Sequence, residues 1–207
     1  MGWDAGFLIY IQEYIRSDLL TPVMKFITHT CDKGIIWIAL CLILLIIPKT
    51  RRIGIIAAGS FAIEAIITNL VIKNIVQRTR PYDEVDGLVN LIERQKDYSF
   101  PSGHTGASFA VAGALLVIAL LGLPAIAEKT GKISRTKMKL AYKLFAVIIV
   151  IYAVLIAFSR LYVGVHYPTD VLGGILLGLG TSVLAYFVYH IVIKKQSQKG
   201  EAVSDKE

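Results

Sequence analysis

Charge and cysteine are both scarce in this sequence. Only 18% of its 207 residues are Asp, Glu, Lys or Arg, fewer than the quarter or so that coats a soluble domain. Acids are the scarcer kind, 15 against 22 Lys and Arg. The surplus cations lie in short segments between apolar runs and form no stripe with interleaved aromatics, so nucleic acid is excluded as the expected partner. Cys31 and Cys41 are the only cysteines; the second falls inside an apolar run, and no structural disulfide between them is expected. The opening Met1-Gly2-Trp3-Asp4-Ala5-Gly6 lacks the basic segment of a secretory leader, and Gly6 stands where a myristoylation motif needs Ser or Thr. Neither cleavage nor acylation is expected. Internal repeats and low-complexity tracts are missing as well.

What fills the chain instead is apolar. Hydrophobic residues make up 55% of it, and the mean hydropathy is +0.63. Gathered into runs approaching ~20 residues, the length that crosses a hydrocarbon core, they predict an all-α polytopic transmembrane helix bundle. Five spans are read: Gly34 to Ile47, Ile53 to Ile72, Thr105 to about Leu123, Leu144 to Phe158, and Val171 to Ile193. The first and fourth hold 14 and 15 uncharged residues, so they are expected to reach past their charged ends. Residues 3–17 place Phe7, Tyr10, Ile11, Tyr14 and Ile15 on one helical face, which suits a short interfacial helix, and a second apolar patch follows Pro22 to about Thr30. Residues 1–30 are thus read as an interfacial amphipathic segment, 31–193 as one membrane domain, and 194–207 as a disordered tail.

Lys49, Arg51 and Arg52 follow the first span. Lys129, Lys132, Arg135, Lys137, Lys139 and Lys143 follow the third, and Lys194, Lys195, Lys199 and Lys206 occupy the tail. With five spans all three groups share one side, which the positive-inside rule makes cytoplasmic. The stretches 73–104 and 159–170 then face outward. The segment from Gln77 to Pro101 is long enough to be a lid.

Three outer helix ends carry the chemistry: Lys73 to Pro81, Pro101-Ser102-Gly103-His104, and Ser159 to Asp170. A bundle can bring them together. Ionisable groups in such a place are costly and mark a functional site. A phosphate monoester is held bidentately by arginine forks and as a point charge by lysine, which Lys73, Arg80 and Arg160 supply. The amides of Ser102, Gly103 and His104 lie where a helix N-terminus aims donors at an anion, and Gly103 permits close approach. One histidine can attack phosphorus while a carboxylate fixes its tautomer, and the other can protonate the departing oxygen. His166 has Asp170 nearby. Pro168 predicts a helix start there, with Asp170 in the first turn.

Lys73-x6-Arg80-Pro81, Pro101-Ser102-Gly103-His104 and Ser159-Arg160-x5-His166-x3-Asp170 together resemble the three-part signature of the type 2 phosphatidic acid phosphatase (PAP2) family, the lipid phosphate phosphatases, with a membrane core from about residue 34 to 193. The resemblance implies a phosphatase with no metal or other cofactor and a phosphohistidine intermediate. In it His166 is the nucleophile, Asp170 its partner, and His104 the acid. Lys73, Arg80, Ser102, Gly103 and Arg160 hold the phosphoryl oxygens. Its expected partners are a lipid phosphate substrate and membrane lipids; nothing in the residues fixes an oligomeric state. It further implies a cell-membrane enzyme working at the extracytoplasmic face. Undecaprenyl diphosphate, phosphatidylglycerol phosphate and phosphatidic acid are the substrates to weigh. Some undecaprenyl-diphosphate phosphatases of the family carry Asp at the place of Gly103, which weighs against the first.

The rest of the ionisable inventory is read more plainly. Arg78 lies outside the signature and is expected to be an ordinary surface charge. His29 and His190 are expected at the interface. Glu64 stands nine residues before Lys73, which at about 100° per residue turns it to the opposite helix face. It is expected uncharged or paired within the bundle or at an oligomer contact, outside the phosphate site. Gly174, Gly178 and Ser182 form a small-residue stripe for helix packing. Two rivals are weighed. A vanadate haloperoxidase has a similar anion site, but the membrane spans oppose it. A transporter or scaffold that only binds a phosphorylated headgroup has no need of two histidines.

Overall fold

The computed structural model describes residues 2–121 and 132–204, with side-chain detail for 2–121 and 140–192. Every regular element among them is helical. α1 (Trp3–Tyr10) runs into a π-helical turn, Ile11–Ile15, and α2 (Leu20–Thr30) follows. A 3₁₀ turn, Asp32–Gly34, leads into α3 (Ile35–Ile46). α4 (Arg51–Ile66) continues through a second π-helical turn, Ile67–Ile72, into α5 (Lys73–Val76). α6 (Pro81–Glu84) opens on its proline, as a fixed φ and a missing N–H favour. α7 (Gly103–Leu121), α8 (Lys132–Tyr162) and α9 (Pro168–Ser204) complete the chain.

Four stretches are long and apolar enough to cross a membrane: 51–84, 103–121, 140–162 and 168–192. The pair Leu20–Thr30 and Asp32–Ile46, bent by 46°, makes a fifth if it is one span. About five spans are therefore present, with one correction. The short first run gains its missing length from α2, across a bend where Lys33 and Gly34 take φ of 53° and 71°. Gly34 is glycine for two reasons: that φ, and the ring of Phe61, 2.7 Å from where a Cβ would stand. The fourth span likewise reaches past its expected end, through Arg160 to Tyr162.

α7 is the central element, packed against α4, α8 and α9. The α7–α9 contact is built on the predicted small-residue stripe. A Cβ on Gly178 would lie 2.6 Å from the carbonyl oxygen of Gly106, and one on Gly174 would lie 2.8 Å from that of Ser102. The two backbones therefore approach as only small residues allow.

Three expectations shift at the ends of the chain. The face proposed for residues 3–17 is split: Ile11 is fully buried, whereas Phe7, Tyr10 and Tyr14 are exposed. Leu8 and Ile11, three residues apart, turn inward together, as helical neighbours on one face do. The N-terminal segment also packs into the bundle, with Leu8 and Ile11 sharing a core cluster with Val85, Leu88, Leu161 and Val163. At the other end, α9 runs as helix to Ser204, where a disordered tail is expected from 194. Lys129 and Lys206 lie outside the described residues.

Candidate active site

The three signature segments meet at one end of the bundle around a cavity of about 260 Å³. Lys73, Arg80, Gly103, His104, Arg160 and His166 line it. Asp170 lies behind His166, fully buried. Ser102 is the departure among the signature residues. It is buried without lining the cavity, its N–H is taken by the Asp170 carbonyl at 3.0 Å, and its hydroxyl accepts from Thr105 at 2.9 Å. Of the amides expected to face an anion at the start of α7, that of Ser102 is thus already taken, and Ser102 fastens α7 to α9.

His166 precedes α9 and Asp170 sits in its first turn, so the pair straddles the helix start, Nδ1 lying 3.5 Å from Oδ2. Asp170 is held from three other directions. Tyr167 N–H (2.8 Å) and the Ser99 hydroxyl donate to Oδ2, and Arg78 donates to Oδ1 at 2.6 Å. With Nδ1 turned to the carboxylate, the Nε2 of His166 is the nitrogen beside Arg80, 3.3 Å from Nη1. Burial, followed by the charges of Arg80, Arg160 and Lys73, pushes the imidazole well below its ordinary value. A neutral ring with a free lone pair is the form a nucleophile requires.

The cations are fixed by partners that leave donors over. Arg80 is braced by the carbonyls of Asp97 (3.0 Å) and Val165 (2.9 Å) and by the Asp97 carboxylate (2.6 Å). Lys73 pairs with the other oxygen of Asp97. Burial would raise the Asp97 carboxyl, but Lys73 and Arg80 outweigh it and hold it at about 2. Arg160 is buried, donates to Thr28 at 2.6 Å, and keeps a buried Nε without a partner. As a residue lining the cavity, it brings a guanidinium, the group that binds a phosphate most strongly, to the wall. Gly103 adds room: a Cβ there would make only ordinary contact, 3.7 Å from the Lys73 ammonium. His104 bonds through Nε2 to Asp32 at 3.1 Å, and the second oxygen of Asp32 meets Nδ1 of His29 at 2.8 Å.

Two expectations are corrected here. Glu64 is not turned away from the phosphate site; it lines the same cavity as Lys73, buried and accepting a bond from Thr68 at 2.6 Å. The π turn between the two residues rotates the chain by less than about 100° per residue, so nine residues fall short of the roughly two and a half turns that would set them on opposite faces. Arg78 is no loose surface charge either. Besides Asp170 it pairs with Asp4 at 2.7 Å, donates to the Thr169 hydroxyl, and lies 3.9 Å over the ring of Tyr167. Asp32, Asp97, Ser99 and Arg78 are the supporting residues that sequence reasoning passed over. For Asp32 a signal existed, an acid three residues after a histidine at the edge of an apolar run. Gly174, Gly178 and the free, buried Cys31 and Cys41 stand as expected.

A family model described as the PAP2 superfamily matches residues 53–195. The undecaprenyl-diphosphatase of Sulfolobus acidocaldarius is 37% identical over 178 residues, covering 86% of this chain and 75% of that protein. Phosphatidylglycerophosphatase B of Bacillus subtilis is 31% identical over 168 residues, covering 80% and 73%. A crystal structure of the transmembrane PAP2-type phosphatidylglycerolphosphate phosphatase of Bacillus subtilis aligns with a TM-score of 0.65 at 28% identity, over 93% of this chain and 85% of that one.

Proposed function

Because the chain belongs to the PAP2 superfamily and is a PAP2-type phosphatase, we propose that it removes phosphate from a lipid phosphate or diphosphate at the outer membrane face, through a phosphohistidine on His166. The observation that carries this reading is His166 itself, its Nδ1 facing Asp170 and its Nε2 beside Arg80 in the cation-lined cavity. Lys73, Arg80, Arg160 and the first amides of α7 hold the phosphoryl oxygens, and the lipid tail lies among the spans. Nε2 attacks phosphorus, the P–O bond to the lipid breaks, and His104 gives a proton to the departing oxygen. Water then attacks the phosphohistidine and returns one proton to His104. Inorganic phosphate leaves and both rings regain their starting forms.

Charge neutralisation by three cations and activation by Asp170 provide what a metal provides elsewhere, so metal independence belongs to the proposal. Among substrates, the names of the two relatives favour undecaprenyl diphosphate and phosphatidylglycerol phosphate over phosphatidic acid. The outward placing of the site rests on the clustering of Lys and Arg in the opposite loops.

The test is inorganic phosphate release from those three lipids by detergent-purified protein in EDTA, beside His166→Ala. Turnover that survives EDTA, with an acid-labile phosphoenzyme that the variant cannot form, is the expected result. Turnover that EDTA abolishes, or that His166→Ala retains, would refute the mechanism.

A further inference from the structure

The acid of the reaction has a partner that lies outside all three signature segments. Asp32, in the 3₁₀ turn between α2 and α3, presents Oδ1 to Nε2 of His104 at 3.1 Å and Oδ2 to Nδ1 of His29 at 2.8 Å. His104 is mostly enclosed, 17% of its side chain exposed, while Asp32 and His29 are each about half exposed, at 50% and 53%. The three form a file from solvent to the cavity wall.

A leaving-group acid must carry a proton to give away. Around His104 the charges oppose that: Lys73 from α5 and Arg160 from α8 line the same cavity, together with Arg80 and His166. The other acids of the cavity are engaged elsewhere, Asp97 with Lys73 and Arg80 and Glu64 with Thr68. Asp32 alone among the carboxylates of the described residues bonds to the His104 ring. Its negative charge is what a second proton on that ring needs nearby. Since Nε2 is committed to Asp32, Nδ1 is the nitrogen left to serve the departing oxygen.

We propose that Asp32 is the positioning residue of the leaving-group acid, orienting His104 and stabilising its protonated form, with His29 fixing the carboxylate from the solvent side. The protons balance without Asp32 titrating. His104 loses its Nδ1 proton as the P–O bond breaks and regains one from the attacking water, and the Nε2–H to Asp32 bond persists through both steps.

This inference rests on the phosphatase reading, and the leaving group separates the two. An acid matters when the departing oxygen is an alkoxide and hardly at all when it is p-nitrophenolate. Full-length Asp32→Asn, Asp32→Glu and His29→Gln are compared with wild type on phosphatidylglycerol phosphate and on p-nitrophenyl phosphate, with thermal melting as the check on folding. Wild-type turnover of both substrates supports the phosphatase reading independently of the variants. Asp32→Asn is expected to lose roughly 10- to 100-fold in kcat/KM on phosphatidylglycerol phosphate, part of the 10²–10⁴ that general acid catalysis is worth, and to change little in kcat/KM on the aryl ester. The reason is that kcat/KM covers the departure of the leaving group and not the later hydrolysis of the phosphohistidine, in which His104 serves both substrates alike. Asp32→Glu should restore part of the loss, and His29→Gln should show a smaller loss of the same kind. Combined with His104→Ala, the Asp32 substitution should add nothing. Equal losses of kcat/KM on both substrates, or wild-type kcat/KM on both by a folded variant, would overturn the proposal. Were Asp32→Asn unable to fold, the selective loss in His29→Gln decides in the same way.

Discussion

At the residue scale the site is a problem in electrostatics, because the proposed mechanism needs His166 neutral while its surroundings are strongly cationic. Burial and the charges of Arg80, Arg160 and Lys73 all depress the ring. A group depressed in the free enzyme protonates only below its usual range near 6.5. The acid limb of kcat/KM, which reports the free enzyme, should therefore fall below pH 6.5 once the ionisation of the substrate's own phosphate is allowed for. Arg160→Met should move it upward, and a wild-type limb at or above 6.5 would contradict this account. Arg78 gives a second prediction. It is the cation bonded to Asp170, whose carboxylate is fully buried, so Arg78→Met leaves that charge without a counter-ion. The expected cost is about 3 kcal/mol of stability, as for other broken buried pairs, with kcat reduced more than KM; unchanged melting would count against it. The signature residues were legible in the sequence because phosphate chemistry dictates their types. Arg78, Asp97 and Asp32 were not, because their partners lie 92, 24 and 72 residues away in the chain, and distance along the sequence hides a salt bridge. Their charges were counted without any way of knowing what they faced.

Elements convert that chemistry into placement by departing from the regular α-helix at chosen points. The π turn at Ile67–Ile72 brings Glu64 and Lys73 to one cavity, and Asp32 sits in the 3₁₀ turn between α2 and α3. Hydropathy located the spans, since their length is imposed by the bilayer. It could not locate these irregularities, because a π turn and an α turn are equally apolar and differ only in hydrogen-bond register. The small-residue stripe was legible because its consequence, close approach, needs only residue size. Its prediction is correspondingly direct. Gly178→Val would thrust a branched side chain at the Gly106 carbonyl, 2.6 Å from its Cβ, and should cost at least the 1–3 kcal/mol, roughly, of core overpacking. Separation of α9 from α7 would also loosen the Ser102 to Asp170 bond at the mouth of the site. Gly180, where a Cβ meets nothing within 4 Å, should accept alanine with little change, and equal melting losses at both positions would show that the contact does not carry the packing.

Over the whole molecule, exposed apolar side chains and catalytic charge are kept apart. Ile38, Leu42, Leu70, Ile148, Ile151, Leu176 and Leu184 stand on the outside of the bundle, where hydrocarbon is the solvent, and the cations of the site are gathered at one end around the cavity. On the proposed function, this arrangement lets a lipid lie alongside the helices while its phosphate reaches Lys73, Arg80 and Arg160 without crossing the bilayer. The proposed outward orientation rests on the other charges, since Lys49, Arg51 and Arg52, with Lys194 and Lys195, are sequence neighbours of the opposite helix ends, and a translocating chain retains such clusters inside. A membrane-impermeant maleimide tests the orientation on intact cells. Asp86→Cys, at an exposed position in the segment beside the site, should label without lysis, and Lys195→Cys only after it. Wild type is the background control, both native cysteines being buried. Labelling of Lys195→Cys alone in intact cells would invert the protein and place the cavity on the cytoplasmic face. The histidine chemistry would survive that result, and the substrate would become a lipid of the inner leaflet.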